Sequence, residues 1–89
     1  ACRLMLHHGA WMADNHLPCS AETSMTKMFV CDTGRDIVLQ CQQILGAYGY
    51  AKGFEMERHV RDMLLMPIIG GSTHIQKNNI ANRLGLPKE

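Results

Sequence analysis

Between Pro18 and Gly46 the chain carries one long apolar pattern with the step of an α-helix, and the rest of the fold has to be built around that rod. Met25, Met28, Phe29, Ile37, Cys41, Ile44 and Leu45 mostly recur at three- and four-residue intervals. A continuous helix over Ala21–Leu45 would be about 37 Å long at 1.5 Å per residue. Pro18 bounds it on one side, because a proline disfavours helical geometry in the residue before it, here Leu17. Ser20 is a favourable helix start. Gly46 bounds the other side, since glycine takes the left-handed conformation that satisfies the last carbonyls. Gly34 lies inside the span and weakens a helix by roughly 1 kcal/mol relative to alanine. A break at Thr33-Gly34, with Asp36 capping a new helix, is therefore the competing local reading.

The flanks read the same way. Leu4, Met5, His8, Trp11 and Met12 share one face of a helix predicted over Arg3–Asn15. Ala47 to Phe54 holds three aromatics and two glycines and reads as an ordered loop. Glu55 to Leu65 forms a short helix with Glu55 and Glu57 in its first turn, where the helix dipole favours acids. Pro67 and Gly70-Gly71 stop it. Thr73-His74-Ile75-Gln76 has the T-x-x-Q form of a capping box, and Ile75, Ile80, Ala81 and Leu84 supply the apolar stripe of a last helix. Leu86 to Glu89 is a tail. No segment alternates as a strand would, and no repeat is present. The class is all-α: one antiparallel helical bundle over residues 1–89, with three main helices and one short one.

At 89 residues such a unit buries roughly 60% of its unfolded surface, which leaves a thin core. A net charge of +1, with nine basic residues scattered among eight acidic ones, argues against nucleic acid as a partner, because phosphate binding needs clustered cations. The longest apolar run, Met63 to Ile69, contains Pro67 and falls far short of the ~20 residues that span a bilayer. The start, Ala1-Cys2-Arg3-Leu4, lacks the order of a secretory leader. It also lacks methionine and begins inside a helix, which implies a piece of something longer. Cys2, Cys19, Cys31 and Cys41 form no CxxC pair and read as reduced, small apolar side chains in a cytoplasmic compartment. They give the zinc or redox reading little support.

Few residues carry chemistry on their own. His7 and His8 point about 100° apart on a helix, and His16, His59 and His74 have no partner at i+4, so no metal is expected. Glu55, Glu57 and Asp62 are interleaved with Arg58 and Arg61, the pattern of an ion-paired helix face. Nucleophile-elbow, P-loop and dinucleotide-fold glycine motifs are absent. Gly70-Gly71-Ser72-Thr73 is more informative: two glycines before a capped helix permit close backbone approach, and the helix start offers free N–H groups.

Three stretches together resemble the C-terminal domain of the acyl-CoA dehydrogenase family: Gln43 to Tyr50 (QILGAYGY), Met56 to Asp62 (MERHVRD) and Gly71 to Lys77 (GSTHIQK). Gly9 to Asp14, Ser24 to Phe29 and Leu84 to Pro87 are similar to it as well, so the resemblance covers nearly the whole chain. It implies the last helices of a bundle in an FAD enzyme that oxidises the Cα–Cβ bond of an acyl-CoA thioester, a carboxylate taking the α-proton while hydride leaves to the flavin. By that resemblance Gln43, Gly46 and Ala47 lie along the FAD of a neighbouring subunit, and Ser72 and His74 stand at flavin-contacting positions. Ala47 replaces a usual glycine, and His74 a usual Glu or Gln. Gly70 occupies the usual place of the catalytic glutamate, so no catalytic residue is identified here. The implied partners are acyl-CoA, in the full-length parent only, and further copies of the chain, with no nucleic acid and no membrane. Alone, the segment is expected to be inactive. The alternative is a stand-alone helical module for self-association or partner binding.

Overall fold

The 26-residue α2 (Ser20–Leu45) is unbroken in the computed structural model, which describes residues 1–86. Gly34 does not divide it. A Cβ at Gly34 would stand 2.5 Å from Met63 Cε, so the missing side chain is what lets a neighbouring helix lie close. That contact outweighs the weak propensity of glycine. Ahead of α2 is α1 (Cys2–Asp14), and after it come α3 (Ala47–Tyr50), α4 (Met56–Leu65) and α5 (Thr73–Arg83). No strand occurs among the described residues, as the all-α reading required. Of the tail expected at 86–89, all but Leu86 lies outside the described residues.

Each helix ends for a chemical reason. At the end of α1, His16 takes the left-handed conformation at φ 56°, its N–H donates to the Ala13 carbonyl, and the Leu17 N–H donates to Met12. This is the Schellman arrangement, with a histidine in the place glycine usually holds. Gly85 does the same for α5, at φ 77°. Gly46 ends α2 as expected, but at φ 61° and ψ −136°, the mirror image of an extended residue rather than the left-handed helical region. Only glycine enters that region freely. The expected loop at 47–54 opens with the single turn α3. There a Cβ on Gly49 would sit 2.6 Å from the Gln42 backbone oxygen, so α3 folds back directly onto α2.

All the other helices pack on α2, and among the described residues α1, α4 and α5 do not pack on one another. The Thr26 hydroxyl of α2 meets the Met5 carbonyl of α1 at 3.4 Å. α4 runs antiparallel to the C-terminal half of α2, with Met63 beside Gly34 and Val60 near Gln42. α5 runs antiparallel to the N-terminal half, from Thr73 beside Asp32 down to Arg83 beside Ser20. The face of α1 that packs is Cys2, Met5, Gly9 and Met12, all half-buried. Leu4 and Trp11, expected on that face, are 75% and 56% exposed. The predicted stripe merged two adjacent faces, of which only the methionine side meets α2.

No hydrophobic side chain among the described residues is buried. The Cα radius of gyration is 16.0 Å, against about 12 Å for a compact domain of this length. The helices form an open fan whose apolar surfaces, including Leu4, Ile44 and Tyr50, remain uncovered.

Candidate functional site

Two corners carry the residues singled out from the sequence. The first is the end of α2. Gln43, Gly46 and Ala47 are all exposed there, and among the described residues none apart from Gly46's own chain neighbours comes within 4 Å of where a Gly46 Cβ would be. The Gly46 N–H is shared between the Gln42 and Gln43 carbonyls, and the Gly46 carbonyl accepts from the Gly49 N–H at 2.9 Å. Gln42 points inward, its side-chain amide donating to the Gly49 carbonyl at 3.2 Å. Gln42 therefore holds the turn, which leaves the neighbouring Gln43 at the surface.

The second corner joins α4 to α5. Gly70 and Gly71 both have positive φ, 64° and 92°. A side chain on Gly71 would collide with the Gln76 amide. Ser72 is the N-cap of α5, its hydroxyl accepting from the Ile75 N–H at 3.3 Å. The capping box expected from Thr73 to Gln76 is thus displaced. Thr73 instead donates its hydroxyl to Asp32 Oδ1 at 2.9 Å, and Gln76 turns back to donate to the Gly70 and Gly71 carbonyls at 3.2 and 3.4 Å. Both side chains were drawn away by tertiary partners that a local motif does not include. His74 is exposed in the first turn of α5, and among the described residues its N–H meets no acceptor.

The corners do not form one pocket. The second is tied to α2 at Lys27 and Asp32, and the first follows Leu45. Lys27 and Gly46 are nineteen residues apart, about 28 Å along the helix. A ligand meeting both must be long, or there must be two. A groove of about 640 Å³ lies at neither corner, between Cys19–Ser24 and Asn79–Arg83.

On α4, Arg61 grips Glu57 with two hydrogen bonds of 2.8 and 3.2 Å, and Arg58 stands 3.7 Å from Glu55. The Arg61 hydrogen bond holds the Glu57 carboxyl below the ordinary carboxylate range. A depressed carboxylate stabilises the fold above its unfolded pKa, and that contribution fades as pH falls through the folded one. Arg61 is exposed and Glu57 half-buried at the surface, so the contribution is small and salt-screened. Circular dichroism should show wild-type α4 losing slightly more helicity than Glu57→Gln below about pH 4. Identical acid limbs would refute this. Among the described residues no three His, Cys, Asp or Glu side chains gather as a metal centre would require, and no helix is long and apolar enough to cross a membrane.

With this geometry in view, comparison with known proteins gives a consistent result. A family model described as "Acyl-CoA dehydrogenase, C-terminal domain" matches residues 1–85. The chain is 32% identical over 84 residues to the benzylmalonyl-CoA dehydrogenase of Aromatoleum aromaticum and 36% identical over 84 residues to an acyl-CoA dehydrogenase of Bacillus subtilis. Each match takes in 94% of this chain and 22% of the relative. The solved FAD complex of PigA superposes with a TM-score of 0.90 at 30% identity, over 96% of this chain and 22% of that one. The chain thus spans 22% of the length of the relatives it matches.

Proposed function

Because this chain belongs to the acyl-CoA dehydrogenase family, as part of its C-terminal domain, we propose that it completes the flavin surroundings of an FAD-dependent acyl-CoA dehydrogenase. The family match over residues 1–85 carries this reading. The chain's own chemistry fits the cofactor. Gly46 brings bare backbone to an open surface, and the 70–74 corner presents N–H groups that meet no acceptor among the described residues. A phosphate or a flavin ring edge, both rich in acceptors, suits such a surface. Gln43, Gly46 and Ala47 would hold one flavin, that of a neighbouring subunit, and Ser72 and His74 would border another stretch of cofactor. The distance along α2 between the corners supports this division of labour. When bound, the flavin accepts the two electrons of the oxidation.

Gly70, where the family usually has its glutamate, offers no proton acceptor, so the base is supplied from outside these residues. The same reading places further copies of the chain, or the rest of a longer protein, over the exposed side chains of α1 and of the 44–54 region, since uncovered apolar patches of this kind mark interfaces. Acyl-CoA is a substrate of the whole protein.

The test is to purify the 89-residue chain and the complete protein, record visible spectra, and measure acyl-CoA-dependent reduction of an artificial electron acceptor. The complete protein is expected to show flavin bands and turnover, and the isolated chain neither. Flavin or turnover in the isolated chain would overturn its proposed inactivity. A complete protein that takes up no flavin would overturn the proposed function.

A further inference from the structure

The 66–73 corner is held by two side chains that the flavin reading does not include. Lys27 sits half-buried in the N-terminal half of α2, and its ammonium donates to the Met66 carbonyl at 2.7 Å and the Gly71 carbonyl at 2.8 Å. From the other side, the Gln76 amide, in a residue only 8% exposed, donates to the Gly70 and Gly71 carbonyls, and its oxygen accepts from Asn79 at 3.5 Å. A lysine ammonium has three donors and no acceptor, so it draws acceptors, here two carbonyl oxygens, and never an N–H.

The consequence follows from peptide geometry. All peptides here are trans, so the C=O of one residue and the N–H of the next point in opposite directions. Drawing the Gly70 carbonyl toward Gln76 turns the Gly71 N–H away from it. Drawing the Gly71 carbonyl toward Lys27 and Gln76 turns the Ser72 N–H away likewise. Among the described residues the N–H groups of Gly70, Gly71, Ser72 and His74 make no hydrogen bond. The corner is therefore a row of donors whose acceptors face the protein.

We infer that Lys27 and Gln76 are positioning residues that turn the Gly70 and Gly71 carbonyls inward, so that this corner offers a purely donating edge to the hydrogen-bond acceptors of the flavin. This rests on the flavin reading above and deepens it. Neither residue touches cofactor or substrate; both act through the backbone.

The experiment uses the complete protein, with and without flavin, as wild type, Lys27→Met, Lys27→Arg and Gln76→Leu. In the flavin-free state, amide exchange is followed at Thr73, whose N–H is bonded to the Pro67 carbonyl at 3.2 Å. Lys27→Met is expected to speed that exchange roughly tenfold or more, and to leave the amides of α1 unchanged. The flavin dissociation constant rises by a similar factor. Lys27→Arg keeps charge and donors and returns both quantities toward wild type. Gln76→Leu reproduces the Lys27→Met result from the opposite side and stands in for it if that variant does not fold. Unchanged exchange at Thr73, or a loosened corner with an unchanged flavin dissociation constant, overturns the inference. Wild type that binds no flavin overturns the underlying reading too, and shows this before any variant is made.

Discussion

Replacing Gly71 with alanine should lower the free energy of opening the 66–76 segment by about 2–4 kcal/mol, one of the largest single-residue effects expected in this chain. Two causes add. At φ 92° an alanine is strained whatever the space around it, at about 1–3 kcal/mol. The new methyl would also meet the Gln76 amide. That group is buried and engaged with two carbonyls, so moving it leaves polar atoms short of partners at about 1–3 kcal/mol. Amide exchange at Thr73 and Gln76 should accelerate roughly 30- to 1,000-fold, with α1 unaffected. A change of less than about threefold would show that the corner is looser than its hydrogen bonds imply. Gly46→Ala makes a useful comparison: it has the strain without the collision, because its surroundings are open.

The 89-residue chain by itself is expected to lack a cooperative melting transition. A compact two-state domain of this length absorbs about 60 kcal/mol at its midpoint. That heat comes from a packed interior, and here no hydrophobic side chain among the described residues is buried. Polar staples such as Lys27–Gly71 and Asp32–Thr73 orient the helices, but net hydrogen bonding of ~1 kcal/mol apiece does not replace burial. Scanning calorimetry should give a broad, shallow rise, and light scattering should show concentration-dependent association through the uncovered side chains of α1 and of the 44–54 region. A sharp two-state peak from a stable monomer would refute this. It would also revive the idea of a self-sufficient module.

The helical class and most helix ends could be read from the sequence, because periodicity and punctuation by Pro18, Gly46 and Gly70-Gly71 are local signals. The misreadings came where a distant residue decided the outcome. Gly34 left a break open as the competing reading because propensity does not know of Met63, twenty-nine residues away. The Thr73–Gln76 capping box failed because Asp32 and the glycine carbonyls compete for those two side chains, and Ser72 capped instead. Four-residue α3 depends on Gly49 touching the Gln42 backbone, a contact with no local pattern. In the candidate site, the glycines were legible as glycines, but Lys27 and Gln76 were not legible as the groups that aim the second corner. A lysine inside a long amphipathic helix reads as solvated, and only the fold shows which carbonyls it reaches. The type of residue in the site was visible, and the direction of its peptide dipoles was not.

α2 also acts as a ruler. It is one uninterrupted helix with the Gly71 corner fastened in its N-terminal half and the Gly46 corner at its tip, so the span and angle between them are set by residue count alone. Adding or removing one residue between Asp32 and Gln43 would swing one corner about 100° around the axis and shift it by about 1.5 Å. An extra residue in the connections at 15–19 or 51–55 would leave that gauge untouched, so insertions there are the ones expected to be tolerated.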